Sequence, residues 1–572
     1  MMSYKKMSHS SDTAISQSGG FVARNYVFIL AAVAALNNCN LGYDMGIVSG
    51  VGPILLDQDA FQVTDVQLEI FIGALDVSSL IGAVSSNYLA DKFGRKACMA
   101  LSEVLFMASV IGMACAQSYA TLVVFRCFCG IAVGLGLSIG PLYIGELAPP
   151  DIRGKLVSWS EIATNVGLLV AFIVGASFSS LPEYYSWRVM LALGSLLPAI
   201  LLVSLFFMPE SPRWLIVQKR EDEAAAVLRD LYSTEEEAMK ELEEIKTTIA
   251  AEEIIYTQGG WHTIFHPTKP IFYALCAGIG IASIQQLSGI EALTSYFLFI
   301  FRRANLKSSG AYVYLILFGV CKLFTVYAAS KYFDNPNCGR RPLLLFSGVG
   351  VFICMGIFAL CFSFPISDFS MVVVVITMFA YVITYSVGYG PGTWIVMLEV
   401  LPMQIRAKGL SVSMFVNRCM ASLLSGTFLT LVQYMMYAGY FWFFSAITLG
   451  CVIYVYFLIP ETQGTSLEGV AALFGGGGPP AVADADVDGT PDSSDITGDY
   501  IEKGKAGRAS NSNGVSFSNT GEYQSIGDAT VAPYHGNRLN SGDEAVEVGG
   551  GAGAVAMRAD RGKYQLLNPS SG

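Results

Sequence analysis

Asp91-Lys92-Phe93-Gly94-Arg95-Lys96 sits between two long apolar runs, and Asp334 with Gly339-Arg340-Arg341 repeats it about 250 residues further on. The same offset brings back two more motifs. Gly140-Pro141 with Glu146, Pro149 and Arg153 returns in the same order as Gly390-Pro391 with Glu399, Pro402 and Arg406. Pro209-Glu210-Ser211 returns as Pro460-Glu461-Thr462. One recurrence would mean little, but three in register at the borders of apolar runs mean a duplicated membrane unit, and parallel halves of that kind place a substrate site between them near the bilayer midplane.

Composition agrees with that reading. The chain has 572 residues, of which 53% are hydrophobic and 14% charged, with a mean hydropathy of +0.52, too apolar for a soluble chain of this size. Apolar stretches near 26–52, 67–89, 97–116, 120–142, 156–178, 188–208, 271–300, 310–333, 342–363, 370–398, 409–433 and 438–459 are long enough to cross a hydrocarbon core. The expected fold is an all-α membrane protein with about twelve transmembrane helices in two pseudo-symmetric halves of about six each. Residues 1–25 form a polar segment, 26–208 the first half, 209–266 a charged helical linker, 267–468 the second half, and 469–572 a Gly/Ser/Asp-rich tail too poor in apolar residues to pack. The lipid bilayer is the expected surround, with the plasma membrane as location, a monomer as working unit and both termini cytosolic. Lys92, Arg95, Lys96, Arg153, Lys155, Arg340, Arg341, Arg406 and Lys408 then share the cytosolic side, as the positive-inside bias requires.

The net charge of -11 carries no basic stripe that would bind nucleic acid. The twelve Cys lie mainly inside apolar runs without metal-like spacing, so no metal and no cofactor is expected. No nucleophile-base arrangement or nucleotide-binding Gly loop points to an enzyme.

Ionisable residues inside spans are costly and mark function. Asp44, in Leu41-Gly42-Tyr43-Asp44-Met45-Gly46, and Arg126 lie in the first and fourth spans. Two readings stand for them. They can form a permanent brace, or a coupling site whose carboxylate takes up a proton on one side of the membrane and releases it on the other. Glu161 and Glu291 are further carboxylates, on the fifth and seventh spans; Gln285 and Gln286 precede Glu291, and Trp394 and Asn417 sit on the tenth and eleventh. Any one of them could be an interhelical tie. As a set they offer the acceptors, amide donors and aromatic face that a polyhydroxylated ligand requires. Asp91, Arg95, Glu146, Arg153, Glu210, Arg340, Glu399, Arg406 and Glu461 lie at span ends and read as a cytosolic gate, with Glu146 facing Arg153 and Glu399 facing Arg406.

Across nearly all of residues 26–468 the chain resembles the sugar porters of the major facilitator superfamily. The motifs that carry the resemblance are LGYDMGIVSG, DKFGRK, GPLYIGELAPPDIRGKLVS, PESPRWL, SIQQLSGIEA, CGRRPLL, GPGTWIVMLEVLPMQIRAKG and PETQGTSLE. Hexose carriers of that family usually show Gln where Glu161 stands and Asn where Glu291 stands. The acidic pair, with Val416-Asn417-Arg418, is similar to plant polyol and inositol symporters. The resemblance implies proton-coupled symport of polyols or monosaccharides. It gives Asp44 and Arg126 the proton switch, and it places Gln285, Gln286, Trp394 and Asn417 around the sugar. A facilitative uniporter of the same fold is the alternative, and a non-transporting sugar sensor a more distant one.

Overall fold

The computed structural model describes residues 2–57, 63–149, 152–232, 234–258, 261–304, 308–333, 339–402, 405–463, 557–560 and 563–566. Among them, eleven helical stretches are long and apolar enough to cross a membrane. Six belong to the first half: Asn25–Leu56, Asp65–Phe93, Arg95–Ala114, Tyr119–Leu147, Arg153–Phe178 and Glu183–Leu205. The second half supplies Lys269–Ser295, Gly310–Phe333, Arg340–Ser363, Asp368–Val400 and Phe428–Leu458. The remaining expected span, 409–433, falls on the helix Arg406–Ser425. Lys408, Ser411, Ser413, Asn417, Arg418, Ser422 and Ser425 make this helix too polar to qualify on composition alone. We count it as the eleventh span. The stretch Phe428–Leu458 joins two helices across a kink at Met436, whose φ of 58° lies outside helical geometry: residues before the kink prolong the eleventh span, and the twelfth follows it.

Helices are the only open-ended way to satisfy every backbone N–H and C=O in lipid. Local signals set where they begin. Thr64 opens the second span with a capping box: its Oγ1 accepts from the Gln67 N–H at 3.3 Å, and Gln67 Oε1 accepts from the Thr64 N–H at 2.9 Å.

Lipid gives no hydrophobic drive for helix to meet helix, so close packing of small residues holds the spans together. The first and fifth spans show it: a Cβ on Gly42 would lie 1.8 Å from the Thr164 carbonyl oxygen, and one on Gly46 would lie 2.8 Å from that of Leu168. Both obstacles are backbone and cannot rotate away. Gly42→Ala is expected to destabilise the protein by about 1–3 kcal/mol, the usual cost of overpacking. Gly450→Ala, with nothing within 4 Å of the added carbon, serves as the control. Thermal melting of detergent-solubilised protein checks this, and equal midpoints for the two variants would contradict it.

Two spans of the second half are broken. The seventh stops after Leu287 and restarts as Ile290–Ser295, with Gly289 at φ 86° between them, a conformation glycine adopts without a Cβ penalty. The tenth divides at Gly388 into Asp368–Val387 and Tyr389–Val400. Broken helices at mid-membrane are tolerated where they line a cavity.

The halves meet along the fifth and eighth spans, where Phe172 packs against Phe318, and along the second and eleventh, where polar contacts gather at the end away from the repeated loop motifs. Asp65 accepts from Gln433 Nε2 at 2.5 Å. Glu69 accepts from the Thr430 N–H at 2.7 Å and its hydroxyl at 2.5 Å. The Gly73 carbonyl accepts from Ser422 Oγ at 3.1 Å, and Asp76 accepts from Ser425 Oγ at 3.3 Å. Positions 65, 69, 73 and 76 advance by helical turns, so all the rungs stand on one face of the second span.

Between the halves, the 209–266 stretch carries the helices Pro212–Val217, Glu221–Leu231, Glu235–Gln258 and Trp261–Phe265. Trp214, Leu215, Ala224, Leu228, Ala238 and Leu242 form a small core there. Within the expected tail, the strands Met557–Asp560 and Lys563–Leu566 pair antiparallel. Residues 469–556, 561–562 and 567–572 of that tail lie outside the described residues.

Candidate functional site

Asp44 and Arg126 meet: Arg126 Nη1 lies 2.5 Å from Asp44 Oδ1, and both side chains are at most 2% exposed. The guanidinium is held from two further directions. Its Nε donates to the Phe71 carbonyl at 3.2 Å, and the Phe71 ring centroid is 4.7 Å from its central carbon. Cys129 Sγ is 3.7 Å from the same Oδ1, whereas Asp44 Oδ2 has no partner among the described residues. Asp44 lines a small cavity, with room for about one water molecule, that Asp76 and Arg126 bound from the first half and Glu291, Ser295 and Ser425 from the second.

Behind Glu291 lies an amide network. Asn417 Nδ2 donates to the Ala282 carbonyl at 2.8 Å and to Gln285 Oε1 at 2.9 Å. Gln285 Nε2 donates to the carbonyls of Tyr389 at 3.3 Å and Gly390 at 3.2 Å, which ties the broken seventh span to the restart of the broken tenth. Gln286 Nε2 donates to Asn417 Oδ1 at 3.1 Å, and its own Oε1 is buried without a partner among the described residues. A buried acceptor of that kind is costly unless something else donates to it, and a ligand hydroxyl can. Trp394 is half-buried against the apolar core on the tenth span.

Glu161, on the fifth span, accepts from Asn165 Nδ2 at 3.4 Å. It lies within electrostatic reach of Glu291 and of Lys322 on the eighth span. Lys322 is only 8% exposed. Arg418 completes the charges: its Nη1 is 3.4 Å from Asp76 Oδ1 and its Nη2 is 3.8 Å from Glu291 Oε1. Among the described residues, four carboxylates, Asp44, Asp76, Glu161 and Glu291, thus share this region with three cations, Arg126, Lys322 and Arg418.

Asp76 and Lys322 are missing from the set that sequence reasoning selects, and so is the charge of Arg418. The signal is present nonetheless, since each is an ionisable residue inside an apolar run. Glu103 is another: it is fully buried in the third span and accepts from Asn40 Nδ2 at 2.7 Å.

The motif-bearing ends are built twice on one plan. Arg95 holds Glu146 with two bonds of 2.8 Å and reaches Asp91 at 3.2 Å, while Ser211 Oγ donates to Glu146 at 2.5 Å. In the second half Arg340 lies 3.3 Å from Glu399, and Thr462 Oγ1 donates to Glu399 at 2.6 Å. Glu210 accepts the Arg95 N–H at 3.0 Å, and Glu461 accepts the Arg340 N–H at 2.8 Å, each at the first turn of a span where a carboxylate suits the helix dipole. The expected pairing of Glu146 with Arg153 and Glu399 with Arg406 is not the one observed. Arg153 Nε instead donates to the Ala148 carbonyl at 3.3 Å and Arg406 Nε to the Leu401 carbonyl at 3.1 Å. Those carbonyls stand five residues before each arginine, at the end of the preceding helix, and are nearer partners than the carboxylates.

A family described as sugar (and other) transporter matches residues 30–474. Polyol transporter 5 of Arabidopsis thaliana is 34% identical over 473 residues, 79% of this chain and 87% of its own. The arabinose-proton symporter of Escherichia coli (strain K12) is 30% identical over 455 residues, 77% of this chain and 92% of its own. Among solved structures, the xylose transporter XylE from E. coli in an inward-open conformation aligns with a TM-score of 0.67 at 25% identity, over 78% of this chain and 100% of the other.

Proposed function

The chain belongs to the sugar (and other) transporter family, and from that premise we propose that it is a proton-coupled symporter of polyols and monosaccharides working by alternating access. It is a transporter and not an enzyme. The observation that carries the reading is the Asp44–Arg126 pair, buried at 2.5 Å beside a cavity that both halves line. Glu291, one of the residues expected to hold substrate, lines that cavity as well, which brings the proton pair and the substrate residues side by side. With all groups ionised, the four carboxylates exceed the three cations by one, and a single proton balances them. The amide network supplies the neutral donors and acceptors that hydroxyl groups need, with Gln286 Oε1 free to receive one.

In this reading Glu161, Gln285, Gln286, Glu291, Trp394 and Asn417 hold the substrate. The Arg95–Glu146 and Arg340–Glu399 clusters form the cytosolic gate, to which Asp91, Arg153, Glu210, Arg406 and Glu461 also belong. The protein acts as a monomer in the lipid of the plasma membrane, with both termini cytosolic, on the side where the loop Lys and Arg residues gather.

The test is uptake of labelled sorbitol, myo-inositol, xylose and glucose by transporter-deficient cells at two external pH values. Uptake should exceed equilibrium at the lower pH, and adding substrate should make a weakly buffered medium more alkaline. Equilibration without alkalinisation would identify a uniporter instead.

A further inference from the structure

Arg418 is shared by two buried carboxylates from different halves of the molecule. Its Nη1 is 3.4 Å from Asp76 Oδ1 on the second span, and its Nη2 is 3.8 Å from Glu291 Oε1 on the seventh. Neither contact is tight, because the guanidinium is engaged elsewhere: Nε and Nη2 donate to Asn417 Oδ1 at 3.1 and 2.8 Å. By contrast Arg126, the other arginine here, lies 2.5 Å from Asp44. Asp76 and Glu291 bound the same small cavity as that pair.

Charge in so dry a place has to be balanced by near neighbours. Around Asp76 stand Asp44 from the first span, Arg126 from the fourth, and Arg418 and Ser425 from the eleventh. Around Glu291 stand Glu161 from the fifth, Lys322 from the eighth, Tyr381 and Tyr385 from the tenth, and again Arg418. Two of the three cations are already matched. Arg126 neutralises Asp44, and the field of Lys322 acts on Glu161 before Glu291. Arg418 is left to serve Asp76 and Glu291 together, one positive charge against two negative ones. Two carboxylates on one buried cation bind a proton as a unit.

We propose that Asp76 and Glu291, gathered on Arg418, form a second proton-binding site that holds one proton between them. Its link to the ligand rests on the symporter reading above, in which Glu291 belongs to the substrate set. A neutral ligand entering the site displaces water, and taking water away from a surplus buried charge is costly. The ligand therefore binds best while the pair keeps its proton, and affinity falls as rising pH removes it.

Two measurements on the full-length, detergent-solubilised protein test this. Infrared difference spectroscopy reads protonated carboxyl groups directly and requires no transport. Asp76→Asn and Glu291→Gln should each lose the absorption of one protonated carboxyl relative to wild type, because the survivor then has Arg418 to itself. The double variant should lose no more than either alone. Loss in only one single variant, or in neither, would overturn the shared site. The second measurement is equilibrium binding, across a pH series, of whichever of labelled sorbitol, myo-inositol and xylose the wild-type protein transports best. One linked proton contributes up to about tenfold in Kd per pH unit, so the curve for Asp76→Asn should be shallower than that of wild type by up to that amount. Asparagine matches the volume of Asp76 and keeps an acceptor for Arg418, and a slope unchanged in monodisperse Asp76→Asn would overturn the link to substrate. Absence of substrate uptake by the wild-type protein would remove the symporter reading, whereas the infrared result decides the proton site by itself.

Discussion

Asp44→Asn is expected to abolish uphill accumulation of substrate while exchange of labelled for unlabelled substrate across the membrane persists. Asparagine fills the same volume and can still accept from Arg126 Nη1, which lies 2.5 Å from the native carboxylate, but it cannot take up and release a proton. The amide network is anchored on the seventh, tenth and eleventh spans and does not include Asp44, so the substrate contacts survive. Breaking a buried ion pair leaves a charge uncompensated and commonly costs about 3–5 kcal/mol, so each assay has to be normalised to folded protein. Accumulation undiminished by the substitution would remove Asp44 from the coupling step.

Glu161→Gln combined with Glu291→Asn is expected to shift selectivity from polyols toward hexoses, with sorbitol losing about ten- to a hundredfold more affinity than glucose. Each carboxylate can accept two hydroxyl bonds with charge assistance, whereas an amide offers one acceptor group and one donor group. An open-chain polyol held extended by acceptors loses more from that exchange than a ring whose hydroxyls can use both. The carboxylates also balance Lys322 and Arg418, so a uniform loss is the competing outcome. Equal losses for sorbitol, myo-inositol and glucose in competition assays would rule out the selectivity role.

Much of this architecture is legible in the amino-acid sequence. Hydrophobic length locates the spans, and the repeated loop motifs locate the duplication, because both are local properties of the chain. Asp44 and Arg126 can be paired from sequence since an intramembrane charge must find a partner. Sequence does not disclose which of several partners a charge takes. Glu146 has Arg153 seven residues away in the chain, but fold geometry delivers Arg95 from another span. Gly73 and Ser422 are ordinary in their own segments and acquire meaning only by lying on facing helices from different halves. The apolar fraction of the eleventh helix locates it, whereas its polar face, which carries Asn417 and Arg418, is what makes it a poor span by composition.

The row of contacts between Asp65, Glu69, Gly73 and Asp76 and the opposite half has a consequence for how firmly the carrier can stay in one state. Each polar contact contributes about 0.5–1.5 kcal/mol net, so a handful of rungs amounts to a few kcal/mol. Moving a two-state equilibrium from 1:99 to 99:1 takes about 5.5 kcal/mol, a quantity of the same size. A seam of hydrogen bonds is therefore strong enough to populate the closed form and weak enough for a proton and a sugar to tip it. Interdigitated aromatic side chains over the same length would hold the door shut against both.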